Sequence, residues 1–302
     1  MRNLSDNLVG AGFMVAAMAG FALEDMLLKS ASAQMPVGQV IALFGLFGTI
    51  GFAALSLLRS EPVLHPAMLA PSMVLRAGFE CCGRLFYTLA IALTPLSTAS
   101  AILQATPLVV VAGAAMVFRE RVGAGRWLAI CAGFGGVLLI LRPGATGFDA
   151  TAVVAILGMA GFAGRDLATR AAPRSLSFAQ IGLCGFSVLV PTGLLLLAVT
   201  GGAAVPATSA VLSLLAGTGF GIAAYSALTQ AMRVGEVSAV TPFRYTRLIF
   251  GVGLGIAVFG ERPGIMTWGG AAIILASGLY IMLRRPARAE RLVAAGPQGM
   301  DL

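Results

Sequence analysis

Charge is what this chain lacks. Of its 302 residues only 11% are Asp, Glu, Lys or Arg, against about 25% in a soluble domain. So little charge cannot cover a globule with a hydrated surface. Histidine is nearly absent: His65 is the single one and lies in a loop between Pro62 and Pro66. A metal centre needs more ligands of that kind than the chain offers, so His65 is read as structural. The four cysteines, Cys81, Cys82, Cys131 and Cys184, all sit in apolar stretches without metal-ligand spacing and are expected to be buried thiols. No P-loop is present, which excludes ATP-driven work by this chain alone. No G-x-G-x-x-G follows a strand, which excludes a Rossmann-type nucleotide site.

What is abundant is apolar length. The composition is 58% hydrophobic, and the apolar residues form long blocks instead of the 3.6-residue stripe of an amphipathic helix. A transmembrane helix needs about 20 mostly apolar residues. Ten blocks qualify: 8–29, 38–58, 69–93, 95–118, 124–141, 149–172, 177–199, 209–232, 235–259 and 264–283. Turn chemistry divides them, as at Met35-Pro36, Thr94-Pro95 and Arg262-Pro263-Gly264. The first block is too long for the apolar core of a cleavable signal and is expected to remain as the first helix. The expected fold class is therefore all-α integral membrane, with ten transmembrane helices and a polar tail over 285–302.

The net charge of +8 is an orientation signal and leaves no basic domain for nucleic acid. One set of alternate loops holds Arg2, Arg59, Arg119, Arg121, Arg126, Arg170, Arg174, Arg233, Arg284, Arg285, Arg288 and Arg291; the other holds Lys29, Arg142 and Arg262. The positive-inside rule then puts both termini in the cytoplasm. The surroundings expected are a lipid bilayer of bacterial inner-membrane type.

The chain repeats itself at a fixed shift of 141 residues. Met18-Ala19-Gly20-Phe21-Ala22 recurs as Met159-Ala160-Gly161-Phe162-Ala163, Asp25 maps to Asp166, Lys29 to Arg170, Gln39 to Gln180 and Ser97 to Ser238. Phe118, Glu120 and Arg121 map to Phe259, Glu261 and Arg262, and Trp127 to Trp268. Each copy holds five helices, over 8–142 and 149–284. Five is odd, so the second copy enters the membrane from the opposite side. Secondary transporters use such inverted repeats, with the substrate held near the midplane between the halves.

Several stretches resemble the drug/metabolite transporter superfamily, of the type with paired EamA domains. They are Leu93-Thr94-Pro95-Leu96 leading into Ala105-Thr106-Pro107-Leu108, Phe118-Arg119-Glu120-Arg121, Gly136 to Gly144, Pro242-Phe243-Arg244-Tyr245-Thr246, Phe259-Gly260-Glu261-Arg262-Pro263 and Ala276-Ser277-Gly278-Leu279-Tyr280. The resemblance covers the chain from about Leu8 to Leu283. It implies ten helices, cytoplasmic termini, and import or export of small metabolites. It does not specify the substrate.

Nine ionisable residues fall inside the apolar blocks: Glu24, Asp25, Arg76, Glu80, Arg84, Arg165, Asp166, Arg244 and Arg247. Each would cost roughly 2.5–3.5 kcal/mol at a helix centre facing lipid, so all are expected to face the interior. Arg76, Glu80 and Arg84 share one helical stripe with Tyr87. They form either a substrate groove or a ladder that only joins helices. Arg244, Tyr245 and Arg247 stand where the first copy has Leu103, Gln104 and Thr106. This break in symmetry marks a place where a ligand is read, since Arg suits bidentate binding of carboxylate or phosphate. The alternative is pairing of either arginine with Glu80. Asp25 with Lys29, and Asp166 with Arg170, sit at i, i+4 near opposite faces. They are candidate gates or ordinary helix-end ion pairs.

The functional reading is a secondary transporter working by alternating access, not an enzyme. The cavity, lined by arginines, acids, Tyr87, Tyr245, Gln104 and Gln230, suits an amphiphilic anionic or zwitterionic metabolite: an amino acid, a vitamin or a nucleoside-like compound. A proton is the candidate coupling ion, with Glu80 its first candidate carrier. No cofactor is implied, and monomer and homodimer both stay open. A channel or sensor is the alternative; an intramembrane enzyme lacks a base.

Overall fold

The computed structural model describes residues 4–117, 119, 122–141, 151–169, 171–234 and 240–283. Everything regular among them is helical. The order is α1 (Leu4–Ser32), α2 (Val37–Leu58), a 3₁₀ turn (Pro66–Leu69), α3 (Pro71–Leu93), α4 (Leu96–Leu103), α5 (Thr106–Val117), α6 (Ala124–Leu141), α7 (Ala152–Thr169), α8 (Phe178–Ser187), α9 (Leu189–Thr200) and α10 (Thr208–Val234). A second 3₁₀ turn (Thr241–Tyr245) then leads into α11 (Thr246–Phe259), and α12 (Ile265–Leu283) closes the series.

Seven described spans are long and apolar enough to cross a membrane: Asp6–Ser32, Val37–Leu58, Leu96–Val117, Ala124–Leu141, Ala152–Thr169, Phe178–Thr200 and Thr208–Ala231. The helix α3 has the length but carries Arg76, Glu80 and Arg84. A shorter apolar stretch, Ile265–Ile281, lies within α12.

Two of the expected blocks are broken helices. The α4 helix ends at Leu103 and α8 at Ser187, each four residues before a proline, Pro107 and Pro191. Proline cannot donate to the carbonyl four residues back, and its ring crowds that carbonyl. At the first break the freed Leu103 carbonyl accepts the Thr106 hydroxyl at 2.6 Å. Hydroxyl side chains commonly heal such breaks in membrane helices.

Small residues let the helices cross closely. Gly20 of α1 faces Ala224 of α10, and Gly161 of α7 lies against Gly83 of α3. Gly136 of α6 meets the Gly270 carbonyl of α12 in the same way. Without a hydrophobic force between helices in lipid, such backbone approach is a main source of association. A Cβ at Gly161 would run into the Gly83 and Cys82 backbone, so Gly161→Ala is expected to destabilise by about 1–3 kcal/mol. Gly78→Ala, on open space in α3, serves as control. Melting in detergent checks both, and equal melting of the two would refute the crossing as described.

The thiol expectation needs correction. Cys82 and Cys131 are exposed, and Cys81 and Cys184 only partly covered. An apolar stretch in a membrane helix fits lipid as well as core, so apolar neighbours did not locate these residues. His65 does have a structural post, its Nδ1 accepting from the Ala67 amide at 3.2 Å to cap the first 3₁₀ turn.

Candidate functional site

The nine interior ionisable residues converge on the bundle's inside, as their insertion cost demands. They form two clusters joined by α3. In the first, Glu24 and Asp25 of α1 are almost fully buried. Glu24 accepts from Arg84 of α3 at 2.7 Å, and the Arg84 guanidinium lies over the Phe44 and Phe162 rings. One Asp25 oxygen, Oδ2, accepts from Arg247 of α11 at 2.7 Å and from the Tyr87 hydroxyl at 3.1 Å. Asp25 thus ties α1 to α3 and α11 at once. Phe21 lies beneath Arg247.

In the second cluster, Glu80 binds Arg76 one turn away and Arg165 of α7, both at 3.3 Å. Arg76 also donates to the Thr169 hydroxyl at 3.0 Å and reaches the Ile181 carbonyl. Arg165 grips its neighbour Asp166 at 2.8 Å. Arg244 approaches the other Asp166 oxygen only to 4.0 Å, and its side chain is 38% exposed. Arg165 and Asp166 are each about a quarter exposed, whereas the Asp25 and Glu24 side chains are 2% exposed. The second cluster is the open one.

The break between α4 and α5 lies beside this cluster. Gln104 follows the last residue of α4 at the break and reaches the Arg244 carbonyl on the 3₁₀ turn at 3.4 Å. Tyr245 is buried against Gly278 of α12 and does not join the arginines. Interrupted helices that meet inside a bundle are the usual frame of a transporter site.

Several pairings differ from the sequence pattern. Arg84 leaves the α3 ladder for Glu24. Asp25 does not pair with Lys29: the Lys29 ammonium donates to the Ile91 and Thr94 carbonyls at 2.6 and 2.7 Å. Asp166 pairs with Arg165 and faces Arg244, while Arg170 lies outside the described residues. Arg244 and Arg247 find Asp166 and Asp25, not Glu80. Sequence reasoning passed over Thr169, which no charge pattern singles out, and Glu261. The Glu261 carboxylate accepts the Leu96 and Ser97 amides at 2.5 and 2.9 Å.

Charged groups thus lie between closely crossing helices in a chain with seven described spans of membrane length. The EamA-like transporter family matches the chain over residues 8–142 and again over 149–283, and the chain belongs to that family. It is therefore a membrane transporter, not an enzyme. It is similar to a riboflavin transporter of Rhizobium johnstonii, 31% identical across 94% of this chain and 93% of the relative. It is also similar to a pseudopaline exporter of Pseudomonas aeruginosa, 25% identical over 89% and 95% of the two chains. An S-adenosylmethionine uptake transporter of Rickettsia prowazekii is 25% identical over 75% and 74%. A crystal structure of another protein shares the fold over 93% of this chain and 99% of its own, with a TM-score of 0.61 at 20% identity.

Proposed function

We propose that the chain is a secondary transporter that carries a small amphiphilic metabolite by alternating access between two inverted halves. The halves are residues 8–142 and 149–284, with 285–302 as a cytoplasmic tail. The ten helices are α1, α2, α3, α4 with α5, α6, α7, α8 with α9, α10, the second 3₁₀ turn with α11, and α12. Packing supports the pairing of halves. The Gly20–Ala224 approach and the Gly161–Gly83 approach exchange under the 141-residue shift, since 20 maps to 161 and 83 to 224. The repeated Met-Ala-Gly-Phe-Ala motif supplies the glycine each time. The basic loops support cytoplasmic termini in a bacterial-type inner membrane.

The observation that carries the substrate reading is the half-open cluster of Arg165, Asp166 and Arg244. Acid and base stand side by side there, beside the Phe162 ring. Such a surface takes a flat or amphiphilic molecule with an anionic, zwitterionic or carbonyl-rich end, and repels a lipophilic cation. Riboflavin fits that description, and it names a relative 31% identical across 94% of this chain. A riboflavin-like vitamin is therefore the substrate class we assign first. Glu80 is bound by two arginines and so serves as a link between α3 and α7.

Uptake and efflux in proteoliposomes test this, with riboflavin, S-adenosylmethionine, amino acids and a lipophilic cation offered at two pH values. Saturable riboflavin flux with no flux of the lipophilic cation is the expected result. Transport of the lipophilic cation alone would overturn the reading.

A further inference from the structure

The chain breaks between α3 and α4 at Thr94-Pro95, where Thr94 serves only the Ala90 carbonyl, with its amide and, at 2.7 Å, its hydroxyl. Carbonyls in the last turn of a helix and amides in its first turn have no partner within the helix. Pro95 precedes α4 and has no side-chain acceptor, and α4 has no side-chain cap of its own. Both sides draw further partners from elsewhere. Lys29 of α1 binds the Ile91 and Thr94 carbonyls at the end of α3. Glu261, in the loop joining α11 to α12, receives the first two amides of α4 in its two oxygens, one each. A carboxylate at a helix N-terminus and an ammonium at a C-terminus each oppose the helix dipole.

The loop is built to hold Glu261 there. Gly260 takes the left-handed conformation, φ 63°, at the end of α11, which only glycine adopts without strain. The Glu261 amide then bonds back to the Gly255 carbonyl at 3.1 Å. Gly255 itself must be small, because a Cβ would strike the Glu261 carboxylate. Under Lys29 lies the ring of Phe259, 5.3 Å away, the last residue of α11. One short segment of the second half therefore covers the helix break of the first.

We infer that Glu261 is a positioning residue of the transport cycle, a cap supplied across the halves that shuts the α3–α4 end of the bundle. With Asp25 holding Arg247 one helical turn from Lys29, α11 is fixed against α1 and α4 at this end, while the Arg165–Asp166–Arg244 cluster stays partly exposed. Opening this end requires α11 and its loop to leave α4, and Glu261 must give up both amides. The inference rests on the alternating-access reading above. It assigns the closed end and the residue that holds it.

Ser100 reports on this movement. It is buried on α4 and faces Gly251 of α11. In full-length protein with the four cysteines replaced by alanine, Ser100→Cys is labelled with a membrane-impermeant maleimide in vesicles of each orientation. Glu261→Gln keeps one acceptor and sets an amide donor against an amide donor; Glu261→Ala keeps none. Both are expected to raise labelling at least about tenfold from the α4 N-terminal side, on the scale of lost charge-assisted hydrogen bonds. Glu261→Asp should restore part of the protection. Unchanged labelling in Glu261→Gln, with protein monodisperse by size exclusion, would overturn the inference. If Glu261→Ala fails to fold, Glu261→Gln and Glu261→Asp still decide it. The readout needs no substrate, so a failed substrate assignment, visible in the flux panel alone, stays distinguishable.

Discussion

Arg84→Ala is expected to strip most of the folded protein from the membrane. Arg84 is the partner of Glu24 at 2.7 Å, and Glu24 is only 1% exposed. Deleting the arginine leaves a carboxylate inside the bundle without its hydrogen-bonded ion-pair partner. Breaking a buried pair this way costs about 3–5 kcal/mol, a large part of a domain's stability. The lost contacts with Phe44 and Phe162 add to it, since a desolvated cation over a ring is worth on the order of 1–2 kcal/mol. The test is a double-mutant cycle read by melting in detergent and by abundance in membranes. Adding Glu24→Gln to Arg84→Ala removes the orphaned charge and should recover much of the loss, because replacing both members of a buried pair is far milder than removing one. If Glu24→Gln deepens the loss by its own full amount, the two residues are not a pair and the first cluster is wrongly described.

The interior position of these charges was legible from sequence, and the reason is energetic. An ion facing hydrocarbon costs more than any surface feature of the helix returns, so Glu24, Asp25, Arg76, Glu80 and the others had to turn inward. Of their partners, spacing found Arg76 for Glu80 and missed the rest. Spacing proposed Glu80 with Arg84 and Asp25 with Lys29, both one turn apart. Such helical pairs are worth only a few tenths of a kcal/mol. A tertiary partner on another helix outbids them easily, as Glu24 does for Arg84 and Arg247 for Asp25. Glu261 shows the same limit. Its recurrence in register with Glu120 was visible, yet the amides it caps lie about 165 residues away along the chain, a relation no local pattern contains. The helix breaks were half-legible. Pro107 and Pro191 stand in the sequence, but apolar length alone ran through them and drew continuous spans. Apolar context misled again for Cys82 and Cys131, because lipid-facing and core-facing positions carry the same side chains.

Arg244→Ala is expected to behave in the opposite way to Arg84→Ala, with abundance kept and transport impaired. Arg244 is the most exposed of the interior charges that form ion pairs, and its contact with Asp166 is long, 4.0 Å. Losing so loose a pair should cost stability no more than about 1 kcal/mol, and Asp166 keeps Arg165 at 2.8 Å. A guanidinium poorly engaged by the protein is free to engage a ligand. One hydrogen bond to a charged group is worth about 1.5–3 kcal/mol, so KM for the substrate should rise roughly 10- to 100-fold at about 1.4 kcal/mol per decade. Arg244→Lys keeps the charge but loses the planar fork and should fall between the two. Arg247→Ala is the informative contrast. Its partner Asp25 is buried at 2.7 Å, so that variant should lose abundance before KM can be read. The measurement is concentration-dependent flux in proteoliposomes at matched protein density. An unchanged KM in Arg244→Ala would remove Arg244 from the site and shift the ligand contact to Arg165, the other partly exposed arginine of the open cluster.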